Sequence, residues 1–514
     1  MSTPITAPSA PALSSGITAF ALASLLAAGP AHADKFTDCD QGRDFERQIR
    51  GCTKVIESTG VTQNQLANAF MNRGNGYESK GAYEKALADY NIAISLLPRF
   101  AKAYYNRGYA HDRKGKLKLA LADYTKAIEF APKYTAAYLN RGIIHANLKM
   151  SKKALADYNQ VLKLEPKNFK AYNNRCSLLN DQGKNDEAIE NCTHAMMIKR
   201  DYGNAYYNRG NAFRDKNLLK LAIIDYTRAI GYKKNFANAY NNRGISHFDI
   251  GKPKKALEDY NQAIRINPRF AIAHANKCNT LNSMRQFGQA IEACNSAISI
   301  RPRYANAFYY RGNAKRLQGN NNNAVADYTK ALEASPRFRA ALVNRGVTYM
   351  NLKQFQNAVN DYTKAIEISP KYALAYSNRC DAYNSLRQHD NAIKDCTKAI
   401  QLRPGYANAL YNRGNAYRRS NRHDEAIRDY TAAIKHRPKF TSAYQNRGIS
   451  HESQGNFDQA YDDFAMAFKF GGAKTIRGMQ RYMKGKAVYN GPINGVFDQA
   501  TKTALRACMV SPSC

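Results

Sequence analysis

The chain has no tryptophan and few acids: 40 Asp and Glu stand against 77 Lys and Arg, for a net charge of +37 in 514 residues. Every large aromatic contact is therefore left to its 35 Tyr and 21 Phe. It has no HExxH, no GxSxG and no phosphate-binding loop, and no Ser, His and Asp assemble into a catalytic triad, so no catalytic residue and no cofactor is assigned. CxxC spacing is absent too, which argues against a zinc site, and no metal site is assigned. The only sustained apolar run is Gly16 to Gly29, too short to cross a bilayer, and no later segment is a transmembrane candidate.

What the chain does have is a period. Asn72-Arg73 recurs at steps of 34 residues as Asn106-Arg107, Asn140-Arg141 and onward to Asn446-Arg447; Asn276-Lys277 and Tyr310-Arg311 fill two of the slots. Twelve units run without insertion or deletion. In the unit Ala101 to Tyr134, residues Tyr104, Gly108 and His111 form one helical stripe, and Ala120, Tyr124 and Ala127 form another. A turn around Lys114-Gly115 separates the two stripes, and Pro132 ends the second helix. Each unit is thus a helical hairpin, and a fixed period of this length predicts a solenoid that works through an extended surface.

These offsets resemble the tetratricopeptide repeat, over residues 65 to 480. The resemblance implies an all-α, right-handed superhelical solenoid of helix-turn-helix units. Tyr or Phe takes the place of the family's Trp, as at Phe70, Tyr104, Tyr138, Tyr206 and Phe308. Arg stands before Gly and is matched sixteen residues later by Asp, as in Arg73/Asp89 and Arg413/Asp429; where Lys277 replaces Arg, Ala293 replaces the acid. This covariation within the chain predicts an ion pair between the two helices that fixes register and adds little net stability. Four histidines, His111, His145, His247 and His451, share one repeat position where the family has an aromatic, and are expected to pack.

Residues 1–33 read as a secretory signal with cleavage before Asp34, although the first ten residues carry no Lys or Arg. The ten cysteines fall into local pairs, Cys39/Cys52, Cys176/Cys192, Cys278/Cys294, Cys380/Cys396 and Cys508/Cys514. The three pairs inside the array share a spacing of 16 and always replace the same Gly and the same aromatic. Such co-replacement predicts bridges across the hairpin, each contributing about 3 kcal/mol in the chain-entropy model. Export to the periplasm follows as the expectation.

The cysteine units also expose a period of 102 residues. The unit after each carries one polar set: Asn204, Tyr207, Asn211 and Arg214; Asn306, Tyr309, Asn313 and Arg316; Asn408, Tyr411, Asn415 and Arg418. Spacings of 3, 4 and 3 put each set on one stripe of the first helix. In tetratricopeptide proteins that stripe lines the groove, and the resemblance implies peptide binding, with Asn on backbone, Tyr stacking and Arg on a carboxylate. Tyr and Asn are also the family's ordinary residues there, so only Arg adds information. The partner is unknown: an envelope protein or acidic peptide suits the charge, whereas a signal sequence and bridges argue against nucleic acid.

Asp38 to Ile56 reads as a disulfide-closed helical cap on the first repeat. After Gly471-Gly472 the period stops. Gln480, Tyr489, Gly491, Ile493, Gly495, Phe497, Thr501 and Ala504 resemble the small peptidoglycan-binding domain of cell-wall enzymes, with Asn494 and Asp498 in place of its usual Asp and Gly and Met509 in place of its Gln. That resemblance implies peptidoglycan as a further partner; a non-binding, disulfide-locked cap is the other reading. The organisation is a signal over 1–33, a cap over 34–64, a solenoid over 65–471 and a small helical domain over 472–514. The expected function is a non-enzymatic periplasmic scaffold. An intracellular basic scaffold for acidic proteins or nucleic acid, and an accessory factor of cell-wall enzymes, are the alternatives. The sequence does not give the oligomeric state.

Overall fold

A computed structural model describes residues 35–510; the signal reading over 1–33 and Cys514 lie outside the described residues. Every regular element among them is a helix, and none is long and apolar enough to cross a membrane. The chain divides into two compact units at Leu178/Leu179.

The first unit opens with a helical pair, Lys35–Asp40 and Phe45–Ile56, joined by the Cys39–Cys52 bridge at a Cα separation of 4.4 Å. Three hairpins follow: Gln63–Ser79 with Tyr83–Leu96, Ala101–Arg113 with Leu117–Phe130, and Thr135–Asn147 with Ser151–Leu164. Within a hairpin, alanines such as Ala103, Ala120 and Ala127 are fully buried, which lets the backbones approach. At Gly142 the ring of Tyr158 lies so close that a Cβ would stand 2.7 Å from it. The connecting turn needs left-handed backbone at Gly115 (φ 72°), where its N–H reaches the carbonyl of Asp112 and the next N–H that of His111. Pro132, just past the second helix, has no N–H with which to continue it.

The second unit contains the helix Asn185–Ile198 and eight further hairpins, from Gly203–Asp215 with Leu219–Tyr232 to Thr441–Ser453 with the start of Phe457–Gly485. Cys278–Cys294 and Cys380–Cys396 are bridged, at Cα separations of 5.4 and 5.6 Å. Cys176, Cys192 and Cys508 are also disulfide-bonded. The helix Phe457–Gly485 breaks at Gly472, whose φ of 62° and ψ of −164° are open to glycine. Beyond the break the chain turns and ends in the helix Gln499–Val510. Phe464 and Phe468 of the last repeat share one core with Ile476, Met483, Tyr489 and Leu505.

The Arg–Asp pairs recur ten times among the described residues, at 2.6 to 2.8 Å. Each Asp is at most 6 % exposed. In most the guanidinium is bidentate, as Arg209 is on Asp225. Its remaining nitrogen has a use that the sixteen-residue spacing did not reveal. Arg209 Nη1 donates to Thr193 on the preceding second helix at 3.0 Å, and Arg243, Arg345, Arg379, Arg413 and Arg447 do the same to Thr227, Thr329, Thr363, Thr397 and Thr431. One side chain therefore ties its own hairpin together and stitches it to its neighbour. In the cap, Thr53 receives Arg73 in the same way, so Phe45–Ile56 stands in for the second helix of a missing repeat.

The histidines do more than pack. His145 Nδ1 lies 2.9 Å from Asp157, and His111 and His247 lie 3.9 Å from Asp123 and Asp259, each beside an Arg–Asp pair. At the same repeat position Lys315 pairs with Asp327 at 2.7 Å.

Candidate functional site

The polar stripes lie on the first helices Gly203–Asp215, Ala305–Leu317 and Ala407–Arg419. The structure engages most of their Tyr and Asn within the array. Tyr328 donates its hydroxyl to Asn313 Oδ1 at 2.8 Å; Asn344 of the next repeat donates to the same oxygen at 2.8 Å and to the Tyr309 hydroxyl at 3.1 Å. The same arrangement joins Asn211, Tyr226, Asn242 and Tyr207, and again Asn415, Tyr430, Asn446 and Tyr411. In each stripe one amide oxygen and one phenol thus hold successive repeats together. Asn408 accepts from Arg437 at 2.7 Å, Asn204 reaches the Tyr202 hydroxyl at 3.5 Å, and Asn306 is exposed.

The arginines differ. Arg214 makes a 3.2 Å contact with its exposed neighbour Asp215. Arg316 and Arg418 are half-buried, and the Nε of each is shielded from solvent with no hydrogen-bond partner. Burial pushes Tyr328 up to about 12, opposed by the Arg316 guanidinium beside it; burial likewise raises Tyr430, opposed by Arg418. A guanidinium beside a neutral phenol has no carboxylate partner there, which suits an incoming one.

A further feature that follows the cysteine period is the Asn one turn past each Cys, on the preceding first helix. Asn282 and Asn384 donate to the backbone carbonyls of Tyr310 and Asn412, at 2.7 and 2.8 Å, leaving their side-chain oxygens buried and unpartnered. The sequence reading did not single these out, although their spacing of 102 residues from Asn180, which donates to Asn208, was available.

In the C-terminal segment the motif residues gather around Gln480, which is fully buried. Its Oε1 accepts the Gly495 N–H at 2.9 Å, and its Nε2 lies 3.0 to 3.1 Å from Asn494 Oδ1, the Val496 carbonyl and Thr501 Oγ1. Tyr489 donates to the Pro492 carbonyl at 2.9 Å; a Cβ on Gly491 would stand 2.5 Å from its hydroxyl. Gly495 has φ 76°, Phe497 packs on Phe468, and Ala504 is buried. Of the set, Ile493 is exposed. Two of the three departures from the motif have uses: Asn494 accepts from the Val496 N–H, and Asp498 caps Gln499–Val510 through the Thr501 N–H at 2.8 Å. A shallow cavity of about 400 Å³ lies beside Tyr489, Gly491, Ala500, Thr503 and Ala507.

Models of the tetratricopeptide repeat match residues 101–134, 135–168, 203–236, 237–270, 305–338, 340–372, 373–406 and 407–440, and a model of the TPR repeat matches 74–115. Together they account for more than half of the chain. No curated protein matches it. Among solved structures, the chain is similar to MamA, at 31% identity over 31% of this chain and 94% of that one, with a TM-score of 0.29. It is also similar to the APC/C hetero-tetramer Cut9-Hcn1, at 12% identity over 93% and 95% with a TM-score of 0.48. The P58(IPK) TPR domain follows at 19% identity over 77% and 99%, with a TM-score of 0.31.

Proposed function

The chain belongs to the tetratricopeptide repeat family, a scaffold suited to protein–protein interaction, and from that premise we propose that it is an exported, non-enzymatic adaptor of the Gram-negative envelope. It holds a carboxylate-rich protein or peptide on the stripes of Arg214, Arg316 and Arg418, and it associates with peptidoglycan through residues 472–514. The observation that carries the groove reading is the recurrence of Arg214, Arg316 and Arg418 at one position of the stripe, none of them in an Arg–Asp pair between the two helices of a hairpin, in a chain of net charge +37. An acidic ligand is drawn in by the long-range field and meets the guanidinium groups of the stripe.

Support for wall association is the motif's own geometry: Gln480 fixes a turn that leaves Gly491, Ala500, Thr503 and Ala507 around an open depression. Export is supported by the bridges at Cys39–Cys52, Cys278–Cys294 and Cys380–Cys396, which persist in oxidising compartments.

The deciding experiment has two arms on protein from its native host. Intact mass spectrometry reads the N-terminus and the number of bridges; a chain starting at Asp34 with oxidised cysteines agrees with export, and a full-length reduced chain favours an intracellular scaffold. Co-sedimentation with purified peptidoglycan sacculi then compares the native protein with Thr503→Lys/Ala507→Glu, both surface positions. Equal sedimentation of the two removes the wall assignment to this depression. Separately, Arg214→Ala/Arg316→Ala/Arg418→Ala weakens capture of an acidic peptide without loss of helicity; unchanged capture removes the groove.

A further inference from the structure

In the last repeat the stripe that reads Asn, Tyr, Asn, Arg in three earlier repeats becomes Ser442, Gln445, Ile449 and Glu452. No repeat follows it. It forms one wall of a cavity of about 760 Å³, closed on the other side by Phe464, Met479, Leu505 and Met509, with Lys474 exposed at the rim. That volume is within the range of small-molecule sites, and its make-up, an apolar body with polar side chains such as Gln445, Glu452 and Thr475 around it, fits one.

Glu452 differs from the buried aspartates of the array. Acids are scarce, and the buried aspartates of the array are each held by an arginine. Glu452 has neither an ion pair nor a side-chain hydrogen bond among the described residues. Burial alone raises its pKa, with no neighbouring cation opposing it. In the first repeat Glu78, at the same repeat position, accepts the Tyr90 hydroxyl at 3.0 Å. At the place of Tyr90 the last repeat has Phe464, which supplies no donor.

We propose that this cavity binds a small amphipathic amine, its apolar body lying among Phe464, Met479, Leu505 and Met509 and its ammonium donating to the Glu452 carboxylate. The ligand supplies the donor that Phe464 lacks. This site is separate from the arginine stripes and does not depend on the groove reading.

Isothermal titration of the oxidised full chain with octylamine, octanol and octanoate tests it. Octylamine is expected to bind about tenfold or more tighter than octanol, the scale of one charge-assisted hydrogen bond. Glu452→Gln should bring the two together, and Phe464→Tyr, which restores an internal donor, should reduce the preference. Gly478 lines the cavity and a Cβ there meets nothing within 4 Å, so Gly478→Phe should fill the space and abolish binding while helicity is kept. The triple arginine variant should bind octylamine as the native chain does. The proposal is overturned if octylamine fails to bind, if octanol or octanoate binds as well, or if Gly478→Phe leaves binding intact.

Discussion

A staple can be moved. At Gly312 a Cβ would stand 2.8 Å from Cε1 and 2.9 Å from Cδ1 of Tyr328. That ring is fully buried and its hydroxyl is fixed on Asn313, so it has nowhere to go. Gly312→Cys alone should therefore cost about 1 to 3 kcal/mol of overpacking, offset by a few tenths from better helix propensity. Tyr328→Cys alone removes a buried aromatic and costs about 3 to 5 kcal/mol. If the two were independent, the double variant would lose their sum. The repeats that carry Cys278–Cys294 and Cys380–Cys396 instead predict strong coupling, because the first cysteine needs the tyrosine gone and the second needs a partner. Bridging a loop of that length returns about 3 kcal/mol, so the oxidised double variant should be several-fold better protected than either single one. Non-reducing peptide mapping establishes the bridge, and hydrogen exchange over Ala305–Leu317 and Asn321–Ala334 reads the local stability. Native-like protection in Gly312→Cys, or no bridge in the double variant, would refute the steric argument.

Asp361→Ala leaves the half-buried Arg345 guanidinium without its bidentate partner and should destabilise its hairpin by about 3 kcal/mol, more than Arg345→Met/Asp361→Leu does, as read by local hydrogen exchange. Burial lowers the pKa of His111, His247 and His451 below that of the unfolded chain. The unfolded state then binds protons more readily, so their contribution to stability is present above the ordinary histidine pKa and is lost as pH falls below it. A denaturation midpoint that declines from pH 7 to 5 in the native chain, and declines less with Tyr at all three positions, is the expected result; Tyr349, Tyr383 and Tyr417 already occupy that repeat position. Gln480→Ala should strand the Gly495 N–H and loosen residues 489–501 by about 2 kcal/mol or more, seen as faster exchange there while the hairpins stay protected.

The hairpins were legible because a 34-residue period runs through twelve units, so that the Gly, the Ala positions and the Arg–Asp spacing report on one another. The co-replacement of Gly and Tyr by Cys carried a bridge and, unrecognised in the sequence, a clash: the ring at 328 and a Cβ at 312 exclude each other. What lay hidden was contact between repeats. Arg209 to Thr193 spans sixteen residues backward, the same number as Arg209 to Asp225 forward, and a spacing alone does not say which partner is in the same hairpin. The cap's imitation of a second helix was hidden for the same reason, since Thr53 sits outside the period.

That contact between repeats also decides what the stripes have left to offer. An amide presents one oxygen and one NH₂, and Asn313 gives its oxygen to both Tyr328 and Asn344. The Tyr309 hydroxyl receives Asn344 as well. A ligand that competed for those acceptors would loosen the stack it binds to, so affinity gained there is offset by cohesion lost between repeats. The Nε groups of Arg316 and Arg418 have no internal partner to give up. Replacing Asn313 should therefore be felt first as lost protection of the adjoining repeats, and replacing Arg316 first as lost ligand, a division that the residue types alone, all of them able to bind a peptide, do not contain.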